Sequence, residues 1–167
     1  MEKVEFIWMD GQLLPWNHAT THILTHTLHY GAGVFEGIRC YNTEKGPAVF
    51  RLKEHVDRLF NSAEMLKIKI LFTKEQISDA IKQTIAENNL DACYIRPIVY
   101  YGYGVMGLNP EGSPVNISIA VWPWGTYLGE EGLEKGIKVK ISEHKRVPGK
   151  INQAKICGNY FNSILAK

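Results

Sequence analysis

Three cysteines in 167 residues, Cys40, Cys93 and Cys157, are odd in number and far apart in the chain. That excludes a disulfide-stapled scaffold and points to a reducing compartment. No apolar run exceeds the length of a strand, so no membrane span is expected. An excess of one charge is missing too: Lys and Arg are scattered among acids to a net charge of +2, which offers no basic patch to nucleic acid or a lipid surface. The opening MEKVEFIWMDG is charged and lacks an apolar h-region, so no signal peptide is expected and the cytoplasm is the expected location. Repeats and low-complexity tracts are absent. What remains, 45% hydrophobic and 22% charged residues, is the composition of an ordinary globular chain. A chain of this length can bury roughly 70% of its unfolded surface.

VEFIWMDGQLLPW reads as two strands joined by Asp10-Gly11, the dipeptide a type I′ turn prefers because both central residues need positive φ. GVFEGIRCY and GPAVFRL, separated by NTEKG, predict a second hairpin. From Leu52 the period changes. Val56, Leu59, Phe60, Ala63 and Leu66 recur at helical spacing, and a second helix follows Thr73, with Gln76 at the capping-box position. CYIRPIVYYGYG and PVNISIAVWPWG predict two strands, and IKVKISEH alternates as a half-buried strand does. A final helix-like run starts at Gly158. Strands followed by helices, without regular βαβ alternation, predict an α+β fold: an antiparallel sheet packed with helices over residues 1–124. The glycine and charge content of 125–136 predicts an interdomain loop, and 137–167 the incomplete beginning of a second, α/β-barrel-like domain.

Gly102, Gly104 and Gly107 spell a dinucleotide-binding fingerprint, but Leu108-Asn109-Pro110 leads into a strand, not the helix whose N-terminus would face a pyrophosphate. We therefore read a glycine-rich loop. His18, His22, His26 and His29 share helical spacing, yet intervening threonines disfavour a helix and no Cys or acid completes a ligand set; no metal is expected. Lys155, flanked by Ala154, Ile156, Cys157 and Gly158, is either a solvated lysine or one that presents the neutral amine imine chemistry requires. Arg58 can offer its planar fork to a phosphate, or pair with Glu54 one helical turn back. Tyr94 and Arg96, two apart on a strand, share a face suited to holding a carboxylate; a cross-strand salt bridge with a packed tyrosine is the alternative.

HYGAGVFEGIR, RLKEHVDRLFNSAEML, YIRP, PWGTYLGEE and AKICGNYFNSILAK, in this order and spacing, resemble the fold type IV pyridoxal-phosphate enzymes, most closely the bacterial branched-chain amino acid aminotransferases. The likeness runs along nearly the whole chain and covers about the first half of a family member. It implies pyridoxal 5'-phosphate as cofactor. Amino groups would be transferred from leucine, isoleucine or valine to 2-oxoglutarate by a ping-pong route. Lys155 matches the lysine that bonds the cofactor's aldehyde and then shuttles a proton, Arg58 the arginine of the cofactor phosphate, and Tyr160 the tyrosine of its phenolic oxygen. Phe35, Gly37, Trp124 and Tyr127 match the walls of the side-chain pocket. Tyr94 matches a contact to the substrate α-carboxylate and Arg96 one to the distal carboxylate of glutamate. Tyr30 and Leu108 match residues that reach into the neighbouring subunit's site, which implies a homodimer or a higher homo-oligomer. The motifs resemble the L-branched-chain enzymes more than D-amino acid aminotransferases or aminodeoxychorismate lyases. Since the family's partner for the pyridine nitrogen lies in sequence that would follow residue 167, the chain by itself is expected to be inactive. The alternative is a stand-alone, non-catalytic small domain.

Overall fold

The computed structural model describes residues 2–125, 129–146 and 148–167. The first hairpin forms as expected: β1 (Phe6–Met9) pairs antiparallel with β2 (Gln12–Pro15), and Asp10 and Gly11 turn at φ of 49° and 100°. The polar stretch that follows contains a short helix, α1 (His26–Tyr30), ended by Gly31 in the left-handed conformation.

GVFEGIRCY, expected as one strand, is two: β3 (Gly33–Phe35) and β4 (Ile38–Thr43). Both keep a single register against β6 (Cys93–Tyr101), from Gly33 opposite Tyr100 to Cys40 opposite Cys93. The break falls opposite Pro97. The Glu36 N–H donates to the Pro97 carbonyl at 2.9 Å, and a proline has no N–H to return the rung. β5 (Gly46–Val49) closes the second hairpin, and β7 (Val115–Trp122) lies along β6. The sheet runs β2-β1-β7-β6-β4-β5 with β3 also beside β6, and every pairing is antiparallel.

Two helices cover one face. The period-3.6 stripe places Val56, Leu59 and Ala63 of α2 (Leu52–Met65), and Ile77, Ala80, Ile81 and Ile85 of α3 (Lys74–Glu87), in one core with Val34, Ile38, Ile95, Val99, Ile119 and Val121. α3 starts with the expected capping box: Thr73 Oγ1 accepts the Gln76 N–H at 3.2 Å, and Gln76 Oε1 accepts the Thr73 N–H at 2.8 Å. Such a cap contributes about 1 kcal/mol. The chain therefore has the expected α+β architecture.

Toward the C-terminus the outcome differs from expectation. The stretch read as a loop carries α4 (Gly129–Lys135). IKVKISEH forms no strand, and Val139 and Ile141 are 85% and 94% exposed, because an alternating segment needs a sheet edge to pair with and no strand among the described residues meets it. The last helix, α5 (Phe161–Ala166), begins three residues later than expected, after a 3-10 turn over Cys157–Tyr160. Cys40 and Cys93, far apart in sequence, are direct cross-strand neighbours; both are free thiols, and burial pushes Cys93 up to about 12. No helix among the described residues is long and apolar enough to cross a membrane.

Candidate active site

The side of the sheet away from the helices carries the alternate residues of each strand, so Phe35, Arg39, Tyr94, Arg96 and Trp122 share it. The chain returns at residues 154–160 along the edge of β3 that β6 leaves free. Val34 bridges Ile156, and the Gly158 N–H donates to the Gly31 carbonyl at 3.2 Å. A Cβ on Gly31 would stand 3.0 Å from the Gly158 Cα, so this approach needs glycine.

Lys155 is held on both sides of its backbone. Its N–H donates to the buried Ser62 Oγ at 3.0 Å, and its carbonyl accepts the Phe35 N–H at 3.0 Å. Its amine Nζ lies 2.5 Å from the Tyr160 hydroxyl and 4.5 Å from the centre of the Phe35 ring, whose centroid is 5.0 Å from that of Tyr160. The solvated-lysine alternative does not describe this geometry, in which the amine is partly enclosed by two rings.

Arg58 lies one turn before Ser62 on α2, so the helix that fixes the lysine's backbone also presents the guanidinium. Its acid partner is not Glu54, which pairs with Arg51 at 2.8 Å. It is Glu36, fully buried, whose Oε1 accepts Arg58 Nε–H at 2.6 Å and whose Oε2 accepts Nη2–H at 2.8 Å. Oε2 also accepts from His55 Nδ1 at 2.8 Å and from the Gly37 N–H at 3.3 Å. Burial pushes the Glu36 carboxyl up, but the bonds from Arg58 and His55 outweigh it and hold the group below its ordinary value.

Arg96 has no carboxylate partner among the described residues, which removes the salt-bridge alternative. Its guanidinium carbon lies 4.8, 5.3 and 5.9 Å from the centres of Phe35, Tyr94 and Trp122, and Nη2 is 3.3 Å from the Tyr94 hydroxyl. Arg96 Nε and Trp122 Nε1 are buried donors with no partner among the described residues. Tyr94 packs against Trp122 and Trp124 at 5.1 and 5.0 Å, and the two tryptophans lie 5.8 Å from each other. Gly37 makes room for it, since a Cβ there would fall on the Tyr94 hydroxyl.

The structure thus brings together Lys155, Tyr160, Phe35, Gly37, Tyr94, Arg96 and Trp124, with Arg58 joined through Glu36, the residue after Phe35. Tyr30 and Leu108 stand apart, 43% and 90% exposed. Both are tied to His26, which stacks on Tyr30 at 4.6 Å and donates from Nε2 to the Gly107 carbonyl at 2.7 Å. Tyr127 lies outside the described residues. Sequence reasoning gives Glu36, His55, Ser62 and Trp122 no role at the site, and reads His26 as structural or solvent-facing in preference to a metal ligand. Only Glu36 leaves a usable signal there, as the one acid on the buried parity of an apolar strand.

A pyridine-ring cofactor bearing an aldehyde and a phosphate fits these groups. An amine meets a phenol beside an aromatic floor, and the guanidinium of Arg58 keeps Nη1 and one Nη2 hydrogen uncommitted to Glu36. Residues 33–167 match the family described as amino-transferase class IV. The branched-chain-amino-acid aminotransferase of Pseudomonas aeruginosa is 51% identical over 162 residues, spanning 96% of this chain and 53% of that protein. The crystal structure of the Escherichia coli branched-chain amino acid aminotransferase superposes with a TM-score of 0.94 at 42% identity, over 98% of this chain and 55% of its own. The crystal structure of the T.th. branched-chain amino acid aminotransferase with pyridoxamine 5'-phosphate also gives 0.94, at 46% identity, over 100% and 56%. The chain spans about half the length of these relatives.

Proposed function

The chain belongs to the class IV aminotransferase family, and on that premise we propose that it carries the amine-bearing half of a site that transfers amino groups between branched-chain L-amino acids and 2-oxoglutarate. The observation that carries this reading is the Lys155 amine, 2.5 Å from the Tyr160 hydroxyl and 4.5 Å from the centre of the Phe35 ring, the same ring that the Arg96 guanidinium meets at 4.8 Å. Pyridoxal phosphate, when bound, supplies the electron sink that makes the Cα–H of the amino acid acidic. The protein's own groups do the rest. Lys155 binds the cofactor and moves the proton at Cα, within reach because its backbone is fixed at both ends. Tyr160 holds the cofactor's phenolic oxygen, and Arg58 its phosphate. Tyr94 takes the substrate α-carboxylate. Phe35, Gly37, Trp124 and Tyr127 accept a branched apolar side chain, while Arg96 at the edge of the same box accepts the distal carboxylate of 2-oxoglutarate, so one pocket serves both half-reactions. Tyr30 and Leu108 complete the site of a second copy in a homodimer. We take residues 1–124 as the small domain, 125–136 as the connection and 137–167 as the start of the cofactor domain, and place the protein in the cytoplasm.

The test uses the protein as its complete reading frame encodes it. Added pyridoxal phosphate is expected to become fixed to Lys155, detected by borohydride trapping and peptide mass, and lost in Lys155→Ala. Leucine and 2-oxoglutarate are expected to yield glutamate. Cofactor that does not attach to Lys155 would sink the reading, and attachment without amino transfer from any branched-chain donor would sink its substrate.

A further inference from the structure

Glu36 is poorly explained as packing. It stands in the row Val34, Glu36, Ile38, Cys40 that faces the helices, and it is fully buried among apolar neighbours. An apolar residue of similar volume at such a position is often as good for stability or better, because desolvating a carboxylate consumes much of what its ion pair returns. What the carboxylate does supply is geometry. Its two oxygens meet Arg58 at Nε and Nη2, fork to fork, at 2.6 and 2.8 Å, and so fix the plane of a guanidinium whose side chain is otherwise 50% exposed. His55 Nδ1 and the Gly37 N–H in turn hold Oε2.

We infer that Glu36 is a positioning residue that presets the Arg58 guanidinium so that its free Nη1 edge meets the phosphate of the cofactor already oriented. This rests on the reading that Arg58 takes that phosphate. Two effects of the carboxylate have opposite signs. As a negative charge next to Arg58 it weakens attraction for an anion, so on charge alone its removal tightens phosphate binding. As an orienting group, its removal weakens phosphate binding. The sign of the change decides between them.

The measurement is a titration of the complete reading-frame product with pyridoxal phosphate and with pyridoxal, followed by the absorbance of lysine-bound cofactor. The ratio of the two Kd values isolates the phosphate contribution and cancels effects common to the lysine site. Glu36→Gln is expected to lower the preference for the phosphorylated compound by about tenfold, the worth of one charge-assisted hydrogen bond, with the pyridoxal Kd little changed. An unchanged or increased preference overturns the inference. If Glu36→Gln does not fold, Arg58→Lys keeps the cation but cannot make the two-point contact. It is expected to lose the preference as fully as Arg58→Met, and a wild-type preference in Arg58→Lys overturns the inference equally. A wild-type protein that binds both compounds alike overturns the phosphate role of Arg58 and this inference with it, while leaving Lys155 intact.

Discussion

On the helix-covered face of the sheet, Val34, Ile38, Ile95, Val99, Ile119 and Val121 are buried, and the one acid among them, Glu36, has donors at both oxygens. On the opposite face Arg39, Arg96 and Trp122 each bury a donor nitrogen with no acceptor among the described residues. Both faces come from the same strands, alternating residue by residue, so strand composition does not separate them. The difference is in satisfaction. The first face closes on itself, whereas the second concentrates donors and rings, as the carboxylate-binding role proposed for it requires.

Three changes would break or sharpen this contrast. The largest effect belongs to the closed face: Ile119→Ala, at a position with 0% exposure, is expected to destabilise the fold by about 2–5 kcal/mol, read from urea unfolding. A smaller effect is expected from acid. Glu36 is held below its ordinary value of 4.5, so between that value and the lower folded one the unfolded chain binds a proton that the folded chain refuses. The stability it contributes is complete above pH 4.5 and is lost as pH falls through the folded value. Unfolding curves across this range should slope less in Glu36→Gln than in the wild type, and equal slopes would mean that the carboxylate is not specially stabilised. The smallest effect on folding belongs to the open face. Arg96→Met should change stability by less than about 1 kcal/mol, since the substitution removes a buried donor that has no partner among the described residues, while weakening binding of a dicarboxylic 2-oxo acid. A large stability loss would show that Arg96 supports the fold after all.

Local chemistry was legible in the sequence, and pairing at a distance was not. The Asp10-Gly11 turn and the Thr73–Gln76 cap depend on residues within one turn of each other, and both form. The division of GVFEGIRCY depends on Pro97, whose place opposite Glu36 exists only once the strands are aligned. Arg58 failed in the same way. The acid one helical turn back, Glu54, is taken by Arg51, and the true partner of Arg58, Glu36, lies 22 residues away in the break between β3 and β4. IKVKISEH had the alternation of a strand, yet alternation marks only two faces and does not supply the neighbour a strand requires. At the site, Lys155, Tyr160, Arg58, Tyr94 and Arg96 were visible through the family resemblance, whereas Ser62 and Trp122 gave no signal. A serine on a helix and a tryptophan at a strand end look ordinary until the fold places one under Lys155 and the other beside Arg96.

The two backbone bonds of Lys155 have a consequence of their own. An amine carried on a free loop would sample a large volume and behave as a dilute reagent. Here the N–H is tied to Ser62 and the carbonyl to Phe35, so only the side-chain torsions of Lys155 remain to be ordered. In the role proposed for Lys155, part of the entropy lost in bringing amine and reacting carbon together is therefore spent when the chain folds, and the sheet would raise the effective concentration of that amine.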